Sequence, residues 1–128
     1  MEDKDIKTND MKGKDGWQRI INAAHYSKDG FIAAFRHEAA FRQLSIGNAV
    51  LFIAVWCFDF SAAERMMLIA ASFLSIIVEL FNTGIEATID YISLEKHPLA
   101  KRAKDVGSAA QFMAMCLIGI LWLIALFG

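Results

Sequence analysis

An all-helical integral membrane protein is the fold class this sequence predicts, with three transmembrane helices behind an N-terminal amphipathic surface helix. Three observations lead there. Hydrophobic residues make up 56% of the 128 positions, more than a soluble domain of this size carries. Three apolar segments follow one another, and only helices cross a bilayer singly in so short a chain. Basic residues gather before the first segment and between the second and third, the distribution that orients membrane helices.

In chain order, residues 1–15 are polar and charged and read as a disordered tail with no cleavable signal peptide. A surface helix is expected over about 16–42, where Trp17, Ile20, Ile21 and Ala24 recur at i, i+3, i+4 and i+7. Phe31, Ala34 and Phe35 repeat the pattern beside Arg36 and Glu38, with Gly30 either kinking the helix or dividing it. A soluble cap packed on the cytoplasmic helix ends is the other reading of this segment.

The spans are expected at about 44–60, 62–92 and 106–127. The second would be about 45 Å long against a hydrocarbon core of roughly 30 Å, so its polar end must emerge from the membrane. Lys12, Lys14, Arg19, Lys28, Arg36 and Arg42 precede the first span, and Lys96, Lys101, Arg102 and Lys104 lie between the second and third. Only Arg65 lies in the other connection, so the N-terminus is expected in the cytoplasm and the C-terminus outside. Trp56 and Trp122 then anchor the outer face. Ala103, Gly107, Ala110 and Ala114 form a small-residue stripe that should face a neighbouring helix. Cys57 and Cys116 fall in apolar runs and read as small buried hydrophobes rather than a disulfide. A net charge of −1 and the lack of zinc-finger or RNA-binding signatures argue against nucleic acid as a partner.

Chemistry concentrates in the second span. Glu79, Asn82, Glu86 and Asp90 follow at i+3, i+4 and i+4, which aligns them on one helix face. On insertion scales a charged side chain at the bilayer centre costs roughly 2.5–3.5 kcal/mol. Such carboxylates permit three roles: glue between helices, a proton or cation path, or an active site at the membrane surface. Glue explains a graded ladder from lipid to water poorly. A conduction path needs polar groups through the full depth, yet Met66–Phe73 offers only Ser72 and the third span only Ser108 and Gln111. Glu38 should sit at the depth of Glu86, and two carboxylates completed by phosphates and waters suit Mg²⁺. Arg19, Lys101, Arg102 and Lys104 could hold phosphates or simply anchor the cytoplasmic side. The set matches the needs of phosphoryl transfer, without a Walker A loop or any kinase-loop signature.

Three separated motifs then carry a resemblance: Glu38-Ala39-Ala40-Phe41-Arg42-Gln43, Val78-Glu79 through Asp90, and Ala103-Lys104-Asp105-Val106-Gly107-Ser108-Ala109-Ala110. They occur in the order found in the small integral-membrane diacylglycerol kinases of bacteria, and the chain resembles that family from Trp17 to its C-terminus. The resemblance implies a homotrimer in the bacterial inner membrane that transfers the ATP γ-phosphate to diacylglycerol. It makes Glu79 the base for the lipid hydroxyl, with Glu86 the other candidate and Asn82 ordering the site. Glu38 and Glu86 would hold Mg²⁺, and Arg19, Tyr26, Glu95, His97, Lys104 and Asp105 would join them around the nucleotide. The lipid would meet Glu79, Ser27, Arg42, Gln43 and Ser108. Two departures bear on the lipid: Leu44 stands where an acidic residue is expected, and His97-Pro98-Leu99-Ala100 looks more like relatives that phosphorylate undecaprenol. Diacylglycerol is the expected substrate, with undecaprenol as the alternative.

Overall fold

The computed structural model describes residues 16–128, so the expected polar tail lies outside them. The described residues form four α-helices: α1 (Gly16–His37), α2 (Ala39–Ala54), α3 (Ala62–Ile92) and α4 (Pro98–Phe127). They fall into two compact units that divide between Ala33 and Ala34.

The first unit carries most of α1, whose apolar Trp17, Ile20 and Ile21 are exposed. Gly30 lies inside the helix and does not divide it. The surface helix expected to reach residue 42 instead ends at His37. Glu38 adopts an extended backbone (φ −119°, ψ 109°) and serves as the N-cap of α2, although its carboxylate makes no capping bond. Arg42 explains the break. Its guanidinium donates to the carbonyls of Phe35 at 2.8 Å and Arg36 at 3.0 Å, satisfying acceptors that the helix end leaves open.

The first apolar segment is also shifted: α2 starts at Ala39 and stops at Ala54, not at 44 and 60. Its 16 residues span about 24 Å. Phe58 and Phe60 lie beyond it in the connection, where Phe60 stacks on Phe58 (5.3 Å between centroids) and meets Trp122 edge-on at 5.8 Å. Their apolarity serves loop packing rather than a helix. Arg65 secures the same turn by donating to Val55 O and Phe58 O, with its guanidinium 5.2 Å from the Trp56 ring. Cys57 is exposed in this turn rather than buried as expected, Cys116 is half-buried, and both are free thiols.

The long helix α3 matches its expected bounds. Ser61 caps it through a reciprocal capping box with Glu64, in which each side chain accepts from the other residue's backbone N–H. Pro98 opens α4, and His97 Nδ1 accepts from Leu99 N–H at 3.1 Å. α3 packs chiefly on α4 and also on α2. Val55, Phe60 and Leu68 form a small core with Leu121 and Trp122 at one end. Of the stripe predicted to face a neighbour, Gly107 and Ala114 are buried and Ala110 is exposed.

α3 and α4 are each long and apolar enough to cross a membrane, and α2 is a shorter apolar helix. Only 11% of the most apolar stretch of α4 is buried within the chain, unlike the core helix of a soluble protein. Met66, Phe73, Phe112 and Leu123 all point outward.

Candidate active site

The stripe on α3 passes from a buried end to an exposed one. Glu79 is 6% exposed, and its Oε2 accepts a hydrogen bond from Gln111 Nε2 of α4 at 2.8 Å. Asn82, one turn on, is buried against Gly107 of α4, where an added Cβ would strike its Oδ1. Asn82 Nδ2 donates to Glu86 Oε1 at 3.5 Å, a long contact that aligns the two side chains. Glu86 is half-buried and stands in the field of three carboxylates, Glu38, Glu79 and Asp90, with the Lys104 ammonium opposing them. At the exposed end Lys104 Nζ donates to Asp90 Oδ1 at 2.9 Å. That hydrogen bond raises the pKa of Lys104 above its ordinary value, so the group stays cationic.

The α3–α4 connection builds a cleft of about 690 Å³ beside this end. Asp90, Glu95, His97, Lys101, Lys104 and Asp105 line it, which brings four of the expected nucleotide-binding residues to one place. Ser93 Oγ accepts from Glu95 N–H at 3.0 Å, and this turn with the Pro98 start of α4 shapes the wall. Lys104 and Asp105 do not pair with each other. Asp105 instead accepts from Lys101 Nζ at 2.6 Å, one helical turn earlier.

The remaining expected residues are placed differently. Arg42 is engaged with the carbonyls ending α1, and Gln43 and Ser108 are exposed. Arg19, Tyr26 and Ser27 belong to the first unit, where Ser27 Oγ donates to Ala23 O at 2.8 Å and Tyr26 is exposed.

Sequence reasoning did not assign Gln111, Ser75 or Asn48 to the site. Gln111 Nε2 also donates to Ser75 O at 3.1 Å, and Asn48 Nδ2 lies 3.5 Å from Ser75 Oγ. Each was visible only as an isolated polar residue within an apolar run.

A family model for prokaryotic diacylglycerol kinase matches residues 25–126. The chain belongs to the prokaryotic diacylglycerol kinase family. It is 54% identical over 118 residues to a diacylglycerol kinase of Pseudomonas aeruginosa, covering 92% of this chain and 96% of the relative. A diacylglycerol kinase of Escherichia coli K12 is 43% identical over 113 residues, covering 88% and 93%. One from Helicobacter pylori 26695 is 39% identical, covering 84% of each chain. The family match contains Glu38, the whole α3 stripe and the cleft. Together with the two long apolar helices, it makes this a membrane-associated helical protein.

Among the described residues no group of three or more His, Cys, Asp or Glu side chains gathers around one point. Glu38 and Glu86, two carboxylates from separate helical segments acting on each other, fit Mg²⁺ in its usual nucleotide role. That role takes one or two carboxylates and completes the shell with phosphate oxygens and water.

Proposed function

We propose that this protein is an ATP-dependent diacylglycerol kinase that forms phosphatidic acid at the cytoplasmic face of a bacterial inner membrane. The observation that carries the reading is the graded stripe on α3. It sets a buried carboxylate, Glu79, two turns from Glu86 and three from the charged cleft at Asp90 and Lys104. The activity named for the relatives supports it.

The lipid hydroxyl attacks the γ-phosphorus, the bond to the β–γ bridging oxygen breaks, and ADP leaves. The hydroxyl proton passes to a carboxylate, Glu79 first and Glu86 as the alternative. Glu38 and Glu86 would hold Mg²⁺, which would supply charge neutralisation on the transferring phosphate. Asn82 orders Glu86 through its amide. Lys104 offers a cation to the phosphates, while Glu95, His97 and Asp105 shape the nucleotide cleft. The resemblance to the family assigns Arg19 and Tyr26 to the nucleotide, and Ser27, Arg42, Gln43 and Ser108 to the lipid.

A homotrimer with shared sites and three spans per subunit is the assembly we favour. Four helices have little interior with which to enclose both ATP and a lipid. Purified protein in mixed micelles, given Mg-ATP with either a short-chain diacylglycerol or undecaprenol, tests the proposal. It predicts phosphatidic acid as the dominant product. Preferential phosphorylation of undecaprenol would reassign the lipid, and no transfer to either would end the kinase reading.

A further inference from the structure

Behind Glu79 runs a line of hydrogen bonds that ends on its carboxylate. Asn48 Nδ2 donates to Ser75 Oγ at 3.5 Å, and the Ser75 hydroxyl donates to Gln111 Oε1 at 3.4 Å. Gln111 Nε2 donates both to Ser75 O at 3.1 Å and to Glu79 Oε2 at 2.8 Å. A backbone carbonyl can only accept, so Ser75 O decides which end of the Gln111 amide carries nitrogen. The amide N–H groups are thereby committed to Ser75 and Glu79.

Most of the line is buried: Ser75 is 0% exposed, Asn48 5% and Glu79 6%, while Gln111 is half-buried. Polar groups held this deep destabilise a helix bundle unless each is satisfied, and apolar residues could fill the same volume. The shortest bond of the line ends on the carboxylate.

We propose that Gln111 is a positioning residue for Glu79, with Ser75 and Asn48 holding it in register. One amide N–H fixes Oε2, which leaves Oε1 as the oxygen presented to the lipid hydroxyl. A neutral amide suits this task better than a lysine or arginine, because a cation would hold the carboxylate in its charged form and weaken it as a base. Gln111 acts through Glu79 and does not touch the substrate. The assignment rests on the kinase reading above.

The test uses Gln111→Met, isosteric but unable to donate, and Ser75→Ala, which keeps the backbone carbonyl that orients the amide. In Gln111→Met, kcat should fall about 10- to 100-fold with KM for both substrates within about twofold of wild type. Ser75→Ala should lose about 2- to 5-fold in kcat. Combined with Glu79→Asp, the Gln111→Met loss should shrink, since the two residues act as a unit. An infrared difference between wild type and Glu79→Gln isolates the Glu79 carboxylate band without substrate, and Gln111→Met should move that band. Unchanged kcat in Gln111→Met, or a matching rise in KM with kcat intact, would overturn the assignment. If Gln111→Met fails to assemble, Ser75→Ala and its own infrared shift decide, and wild-type behaviour in both overturns it. A wild-type protein inert on every lipid would overturn the kinase reading instead, while the infrared band still tests the contact.

Discussion

At the scale of single residues, Gly107 shows how close packing and chemistry meet. Its missing Cβ leaves the space that the Asn82 amide occupies, so an alanine there must push Asn82 Oδ1 aside. The amide is the end of a side chain and can swing, so the stability loss in Gly107→Ala should be modest, about 1 kcal/mol. Turnover should fall further, about tenfold or more, because Asn82 then loses its alignment with Glu86. Thermal unfolding and kcat measured on the same preparation separate the two effects. Lys104 makes a different prediction. Its pKa is raised by the hydrogen bond to Asp90, so the pair is intact below the ordinary lysine range and is lost only as pH rises through the raised value. The KM for ATP of wild type should therefore show no Lys104-dependent change between about pH 6 and pH 9. Lys104→Met should raise that KM throughout, and a KM unchanged by the substitution would remove Lys104 from the nucleotide site.

At the scale of elements, the two ends of α3 do separable work. The capping box at Ser61 and Glu64 lies at the end away from the acidic stripe, 18 residues before Glu79. Ser61→Ala should lower stability by about 0.5–2 kcal/mol, read by thermal unfolding, with kcat at low temperature unchanged. α3 was legible in the sequence because an unbroken apolar run leads into polar residues at helical spacing, with no Gly-Pro break before Pro98. α2 was less legible for a physical reason. Hydropathy marks which side chains avoid water, not where backbone hydrogen bonds stop. Arg42 and Gln43 are polar yet helical, while Phe58 and Phe60 are apolar yet lie in a turn. The break at Glu38 depends on Arg42 reaching back to α1, which no local pattern announces. In the site, spacing exposed the stripe itself, since Glu79, Asn82, Glu86 and Asp90 share one helix. Gln111 escaped notice because its meaning comes from a residue on another helix, 32 positions away.

At the scale of the whole molecule, the single chain leaves apolar surface that an assembly would use: large apolar side chains line the outer faces of α3 and α4. If sites are shared in a homotrimer, with Arg19 of one subunit serving the α3 stripe of another, mixing Glu79→Gln subunits with Arg19→Met subunits should give more turnover than either variant alone. Mixtures as inactive as their components would place each site within one subunit. We place the meeting point of nucleotide and lipid alcohol at the acidic stripe. The most direct measurement is turnover of diacylglycerol by Glu79→Gln and Glu86→Gln, each checked for unchanged thermal unfolding. The account predicts that both fall by about 10²- to 10⁴-fold, as loss of a general base or metal ligand requires. Robust turnover in both, with the fold intact, would contradict it.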